Sequence, residues 1–337
     1  MSKSLYLPDG YTSALTLRET QHAIKYIKDL FQQTLSFALT LDRVTAPLIV
    51  EKGSGINDDL NGVERKVEFT IKEIGNKEAE IVQSLAKWKR MALYRYGYRP
   101  GEGIYTDMNA IRRDDDTDNL HSIFVDQWDW EKVIDREQRT EEFLKETVRS
   151  IVKAIVYTKR KVSLRYPVLN DPMNENVFFV TSQELEDRWP DKTSKERENL
   201  ICKEHGTVFI QKIGGKLASG KRHDGRAPDY DDWNLNGDLF FWNKTLQSGI
   251  EVSSMGVRVD ETSLKAQLAE LGAEDRMQYA YHKMIADGTL PLTIGGGIGQ
   301  SRLCMLLLEK AHIGEVQASI WPQDMIDACK SAGITLL

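Results

Sequence analysis

The stretch Thr293–Leu303, TIGGGIGQSRL, places four glycines within five positions and sets an arginine three residues after the last of them. A glycine lets the backbone take unusual dihedrals and approach a flat ligand that a Cβ would block. Three nucleotide-binding readings compete for such a cluster. A P-loop needs a lysine and then a Ser or Thr directly after its glycine turn, and Gln300-Ser301-Arg302 supplies neither. A dinucleotide fold needs G-x-G-x-x-G, whereas Gly295, Gly297 and Gly299 spell G-x-G-x-G. What remains is a flat floor for some other nucleotide pocket, with Arg302 entering the helix-like run LCMLLLEK; the ordinary alternative is a surface turn with an exposed arginine.

The pattern on either side bears on that choice. Apolar residues at helical intervals predict a helix from Leu17 to about Leu41, with Ile24, Ile27, Leu30, Phe31, Leu35 and Phe37 on it, and RVTAPLIV leaves it extended. VEKGSGINDDLNG reads as a loop, and KVEFTIKEI as a strand with Val67, Phe69 and Ile71 on one face. NKEAEIVQSLAKWKRMALYRYG reads as a helix that buries Ile81, Leu85, Trp88 and Ala92 and stops near Gly97. Arg99 to His121 is polar and turn-rich, with at most a short strand before SIFVDQWDWEKVI. A helix is predicted from about Arg139 to Thr158, a buried strand at Val177–Val180 and a helix around Ser182–Arg188. TVFIQKI and GDLFFW read as strands separated by a charged insert, GIEVSSMGVRV as one strand or two, and two helical runs lie near 263–271 and 275–286. Strands and helices never alternate with the cadence of a doubly wound sheet. The expectation is one α+β domain spanning residues 1–337, a mainly antiparallel sheet flanked by helices, with long loops over a cleft.

Composition narrows the function. With 45 basic and 51 acidic residues the net charge is -6, so neither a nucleic acid nor an anionic membrane is an expected partner. Three widely spaced cysteines fit a reducing compartment, and the N-terminal stretch has no apolar leader core, nor does any segment reach a membrane-spanning length. A cytoplasmic protein is expected. Cys202 and His205 form a C-x-x-H pair, but two ligands do not complete a zinc site.

Read together, several segments carry a resemblance. GGGIGQSRL resembles the third signature of class II aminoacyl-tRNA synthetases, and IRRDDDTDNLHSIFVDQWDWE resembles their second. The match is closer to the ammonia-dependent asparagine synthetases, relatives of that catalytic core. VQSLAKWKR, HSIFVDQWDWE, GGKLASGKRHDGRAPDYDDW, LNGDLFFWN, EVSSMGVRVD and TIGGGIGQSRL follow in that family's order across nearly the whole chain. The resemblance implies a homodimer to which the N-terminal helix and arm contribute. It also implies conversion of aspartate, ATP and ammonia to asparagine, AMP and pyrophosphate through β-aspartyl-AMP, with Mg2+ serving the nucleotide. Two departures separate the chain from neighbouring families. Ser301 stands where aspartyl-tRNA synthetases usually carry an acid, and Ser2 stands where a glutamine-hydrolysing synthetase would place its catalytic cysteine. An anticodon-binding module is not expected.

The same resemblance assigns residues. Arg112 would hold the α-phosphate and the attacking carboxylate, because a guanidinium can bridge separated oxygens. Lys87 would orient the substrate carboxylate. Arg302 would meet the distal phosphates or the adenine face over a floor of Gly295, Gly296, Gly297 and Gly299. Asp238 and Glu251 would bind Mg2+, a hard ion that prefers oxygen. Asp58, Gln127, Asp129, Ser254 and Arg258 would form the aspartate and ammonia end, with Asp129 for the α-ammonium and Arg258 for the α-carboxylate. Arg226, Tyr230 and Asp231 would enclose substrate and touch the nucleotide. Each residue alone has an ordinary reading as a solvated or packed side chain. Two other functions stay open: a free-standing enzyme that adenylates an α-carboxylate, and a silent aspartate or nucleotide sensor.

Overall fold

A computed structural model describes residues 5–60 and 64–337. Asn61 and Gly62, at the end of the predicted acidic loop, and the first four residues of the N-terminal stretch lie outside the described residues. The strands are β1 (Leu41–Arg43), β2 (Ile49–Glu51), β3 (Glu68–Ile71), β4 (Lys77–Ile81), β5 (Gly103–Ile111), β6 (Phe124–Val133), β7 (Phe178–Thr181), β8 (Thr207–Gln211), β9 (Asp231–Asn243), β10 (Ser248–Arg258) and β11 (Thr293–Gly299). Eight of them form one sheet in the order β1-β5-β6-β11-β10-β9-β8-β7, antiparallel throughout its interior, with parallel pairing only at β1/β5 and β7/β8. The expected mainly antiparallel α+β architecture is what the chain adopts.

Period-two alternation gives the large sheet two unlike faces. Trp128, Trp130, Met255, Val257, Ile294 and Ile298 point to one side and are fully buried. They are covered by α1 (Leu17–Leu39) and α3 (Glu141–Arg165), which pack on each other and turn Ala23, Ile27, Phe31, Leu35 and Val148, Ile151, Ile155, Val162 inward. Phe31 lies 4.7 Å from Trp128, centroid to centroid. Each such side chain contributes about 1.5–3 kcal/mol by leaving water, so this layer anchors the sheet. Thr16 and Glu19 close the N-terminus of α1 with a capping box, and Thr140 caps α3. The opposite face of β5, β6 and β11 carries α2 (Ala86–Tyr96), whose buried side includes Lys87, Lys89 and Arg90. A buried side of that composition marks the functional face.

The remaining helices are α4 (Ser182–Arg188), α5 (Ser194–His205), α6 (Glu261–Leu271), α7 (Ala280–Ala286), α8 (Gln300–Leu307) and α9 (Gln323–Ser331). No described helix is long and apolar enough to cross a membrane. Cys202 is buried in α5, and His205 stacks on Phe178.

Several local expectations are corrected. The helix predicted through NKEAEI begins only at Ala86, because Lys77–Ile81 is β4, paired with β2 and β3 in a small second sheet. Lys52, just past β2, reaches Glu68 of β3 at 2.9 Å and Glu78 of β4 at 3.2 Å on the exposed surface of that sheet. Phe69 in β3 stays exposed there. The polar stretch after Arg99 hides nine-residue β5, whose outward Asp107 pairs with Arg43. Helix α3 runs seven residues past Thr158; Lys159, though charged, is buried and donates to the Leu307 carbonyl at 3.0 Å. Val177–Val180 is an edge strand, not a buried one, with Phe178 exposed. The end of the charged insert, Asp231–Asn236, belongs to β9, its acids buried against arginines. GIEVSSMGVRV is a single strand, and the glycine cluster is β11, not a turn.

Candidate active site

Strand register decides which side chains meet. Gly295, Gly297 and Gly299 on β11 pair with Glu131, Asp129 and Gln127 on β6, and Gly297 pairs on its other side with Ser254 of β10, itself opposite Asp238 of β9. All of these point away from the tryptophan layer. Glu251 and Ser254 are three residues apart, which in a regular strand would place them on opposite faces. A bulge between Glu251 and Ser253 adds a residue and returns both to this face. The result is a cleft with about 310 Å³ of free volume, lined among others by Asp58, Lys89, Arg112, Gln127, Asp129, Arg226, Tyr230, Asp231, Glu251, Ser254, Arg258 and Arg302.

The two ends of the cleft differ in charge. At one, Lys89 pairs with Asp129 and donates to the carbonyls of Trp130 at 2.9 Å and Gly296 at 3.3 Å. Arg258 lies between Glu131, at 2.7 Å, and Asp231, while Thr293 donates to Glu131 at 2.7 Å. Three carboxylates thus face two cations, an excess of one negative charge suited to an ammonium ligand. Burial pushes the Asp129 carboxyl above its usual range, though Lys89 opposes it. Gln127 stands beside this end across from Gly299.

At the other end, Arg112 begins the loop after β5, anchored by its amide to the Ile123 carbonyl at 2.9 Å. Its buried Nε has no hydrogen-bond partner, a donor aimed at nothing in the protein. Arg302, on the first turn of α8, donates to the Glu251 carbonyl at 2.9 Å. Arg226 reaches over from the loop before β9 and donates to Ser254 Oγ and to Asp238, both at 2.6 Å. Burial pushes the Asp238 carboxyl up to about 7; Arg226 opposes this, and the charge of Glu251 adds to it. A buried carboxylate lifted by the charge of a second one nearby fits a divalent cation. No group of three or more His, Cys, Asp or Glu suited to a metal occurs among the described residues. Mg2+ held by one or two carboxylates and phosphate oxygens needs none. Glu251 lies on the cleft wall, and Asp238 sits behind it under Arg226.

Other assignments land differently. Lys87 is buried behind the wall, its Nζ 2.9 Å from Asp229 and 3.2 Å from the Asn57 carbonyl. Lys89, two residues on, is the lysine that lines the cleft. The sequence carried a signal for it: Lys89 follows Leu85 by one helical turn on the buried stripe, and an unpaired lysine there would be costly. Asp58 lines the cleft with a buried, unpartnered Oδ2, and burial lifts its carboxyl while Lys87 draws it down.

The glycines combine two functions. Gly296, Gly297 and Gly299 line the cleft, as a floor should, whereas Gly295 lies beneath the ion pairs. A Cβ on Gly295 would fall 2.6 Å from Arg258 Nη2 and closer still to Glu131 Oε2. One on Gly297 would fall 2.9 Å from Gln127 Cδ. Glycine is required there because polar side chains of β6 and β10 fold across β11.

Known proteins place this geometry. Residues 18–333 match the family model for aspartate-ammonia ligase. The aspartate–ammonia ligase of Clostridium perfringens is 58% identical over 335 residues, 99% of this chain and 100% of that one. That of Lactobacillus acidophilus is 60% identical over 334 residues, 99% of each. Among solved structures, Entamoeba histolytica asparaginyl-tRNA synthetase in complex with asparaginyl-adenylate aligns with a TM-score of 0.65 at 13% identity, over 89% of this chain and 66% of that one. The Pyrococcus horikoshii enzyme with the same adenylate gives 0.62 at 15%, over 90% and 70%. At such identities the likeness is one of fold, that of the class II synthetase catalytic core. Matched by that family model over residues 18–333 and close to three-fifths identical to its members along their whole length, the chain belongs to the aspartate–ammonia ligase family.

Proposed function

We propose that the chain is an AMP-forming ligase that makes L-asparagine from L-aspartate, ATP and ammonia, all of it acting as one catalytic domain. The observation that carries this reading is the charge division within one cleft, an acid-rich end for an amino acid joined to an arginine-bearing end for a nucleotide. A carboxylate is a poor acyl electrophile. The substrate β-carboxylate oxygen therefore attacks the α-phosphorus, pyrophosphate leaves, and ammonia attacks the acyl carbon of β-aspartyl-AMP. The acyl–oxygen bond breaks, AMP departs, and the nitrogen loses a proton.

Asp129 receives the α-ammonium, with Lys89 beside it for a carboxylate oxygen. Arg258, gripped by Glu131 and Asp231, orients the α-carboxylate with Gln127 and Ser254. The free donor of Arg112 meets charge as it builds on the α-phosphate. Arg302 and Arg226 hold the nucleotide over the glycine floor, with Tyr230 closing the substrate side. Asp58 draws in ammonium or takes its proton. Asp238 and Glu251 would hold Mg2+, which when bound neutralises phosphate charge. The enzyme is a cytoplasmic homodimer. Support for the dimer comes from Phe37, 91% exposed at the end of α1, beside the short edge strand β1.

Incubation of the pure protein with aspartate, ATP, Mg2+ and 15N-ammonia, followed by mass spectrometry, tests the proposal. Labelled asparagine with stoichiometric AMP and pyrophosphate is expected. ADP as product refutes the chemistry, an α-carboxyl adenylate supports the acyl-transfer alternative, and binding without turnover supports the sensor.

A further inference from the structure

We propose that Asp229 and the three side chains gathered on it form a positioning centre for ammonia use, in which Lys87 supports Asp58 from behind the cleft wall and does not touch substrate. The proposal rests on the reading that Asp58 receives ammonia. Asp229 is fully buried, and its Oδ2 meets Lys87 Nζ, Arg276 Nη1 and His282 Nε2, each at 2.9 Å. These come from three places: α2, the short turn at 274–278 and α7. Its chain neighbours Tyr230 and Asp231 line the cleft.

Two lines of contact run from Asp229 to either side of Asp58. Through Lys87 the first reaches the Asn57 carbonyl at 3.2 Å, and the Asn57 side-chain oxygen accepts from the amides of Asp58 at 3.0 Å and Gln83 at 2.8 Å. Through Arg276 the second reaches Asp59 at 3.2 Å. The loop is seated on the same turn at Gly55, where a Cβ would fall 2.7 Å from Tyr279 Cβ. Asp229 therefore ties the loop bearing Asp58 to the loop bearing Arg226 and Tyr230 and to the start of β9 at Asp231.

The charges interlock as well. Asp58, Asp59 and Asp229 face Lys66, Lys87 and Arg276, with Lys66 on Asp59 at 2.6 Å and 3.6 Å from buried Glu80. Burial lifts the Asp58 carboxyl, and Lys87 is the strongest influence drawing it back. Burial would lift Asp229 too, yet Lys87, His282 and Arg276 together hold it well below the ordinary carboxylate range. Loss of Lys87 removes a buried positive charge beside these carboxylates and favours a protonated Asp58 that no longer attracts a cation.

The test measures KM for ammonia, aspartate and ATP, with aspartate-dependent ATP–pyrophosphate exchange, in the full-length Lys87→Met and Asp229→Asn variants. The expected result is an ammonia KM raised at least tenfold, with exchange and the aspartate KM within threefold of the parent. Loss of exchange with a raised aspartate KM in folded Lys87→Met would overturn the proposal, because Lys87 would then touch substrate. An unchanged ammonia KM would also overturn it. Should either variant fail to fold, His282→Asn removes one contact on Asp229 and is expected to raise the ammonia KM two- to fivefold, an unchanged value again counting against the centre. Asp58→Asn separates the two readings: normal ammonia use there removes the role of Asp58 itself, whereas a raised ammonia KM there with none in Lys87→Met removes only the positioning centre.

Discussion

Gly295→Ala is a change of one methyl group whose cost can be worked from the geometry. The new Cβ would lie 2.6 Å from Arg258 Nη2 and from Glu131 Cδ, and closer to Glu131 Oε2. Neither group can yield easily. Glu131 is fixed by Arg258 at 2.7 Å and by Thr293 at 2.7 Å, and Arg258 is fixed on its other side by Asp231. Gly295 is not in the left-handed region, so backbone strain does not enter. Overpacking a tight interior costs about 1–3 kcal/mol, and disturbing a buried ion pair reaches about 3–5 kcal/mol when it breaks. A loss of about 3 kcal/mol is the expected value. Unfolding entropy of about 2.1 cal/mol/K per residue puts a chain of this length near 0.7 kcal/mol/K, so the melting temperature should fall by roughly 4 °C. Scanning calorimetry measures it, with Gly299→Ala as comparison, since a Cβ there meets only Arg302 Cβ at 3.1 Å. Gly295→Ala melting within 1 °C of the parent would refute the reasoning, because the ion pairs would not then occupy the space over β11.

Burial pushes the His312 imidazole down to about 4, and its Nδ1 accepts from the Gly314 amide at 3.0 Å. The unfolded chain takes a proton below about 6.5, while the folded chain resists until about 4. Stability is therefore lost as pH falls through that window, by up to about 3 kcal/mol; His312→Gln should flatten the pH dependence of unfolding there, and an unaltered slope would count against it. If α1 and β1 make the dimer, Phe37→Asp should weaken association at least tenfold by sedimentation equilibrium. A parent that sediments as a monomer would remove that assignment.

The fold was legible where apolar periodicity was clean, as in α1 and α3, and where a short apolar run stood alone, as in β8. It was hidden where buried positions are polar. Asp231 and Asp232 look like loop residues until Arg258 and Arg139 are seen to neutralise them within β9. Asp107 likewise disguises β5. The cleft was legible as a set of motifs, yet sequence order could not say which lysine of SLAKWKR faces inward. A helix turns by about 100° per residue, so two positions separate a lysine in the cleft from one behind its wall. Asp229 was invisible for a related reason, since its three side-chain partners come from segments up to 195 residues apart.

The bulge between Glu251 and Ser253 sets the phase of β10. Upstream of it the strand addresses the nucleotide through Glu251; downstream it addresses the amino acid through Ser254 and Arg258. Removing Val252 would leave every functional side chain in the sequence and straighten the strand, but it would turn one half of the site into the tryptophan layer. The spacing between these motifs is thus as much a part of the enzyme as their letters, and β10 should tolerate substitution at Val252 far better than deletion.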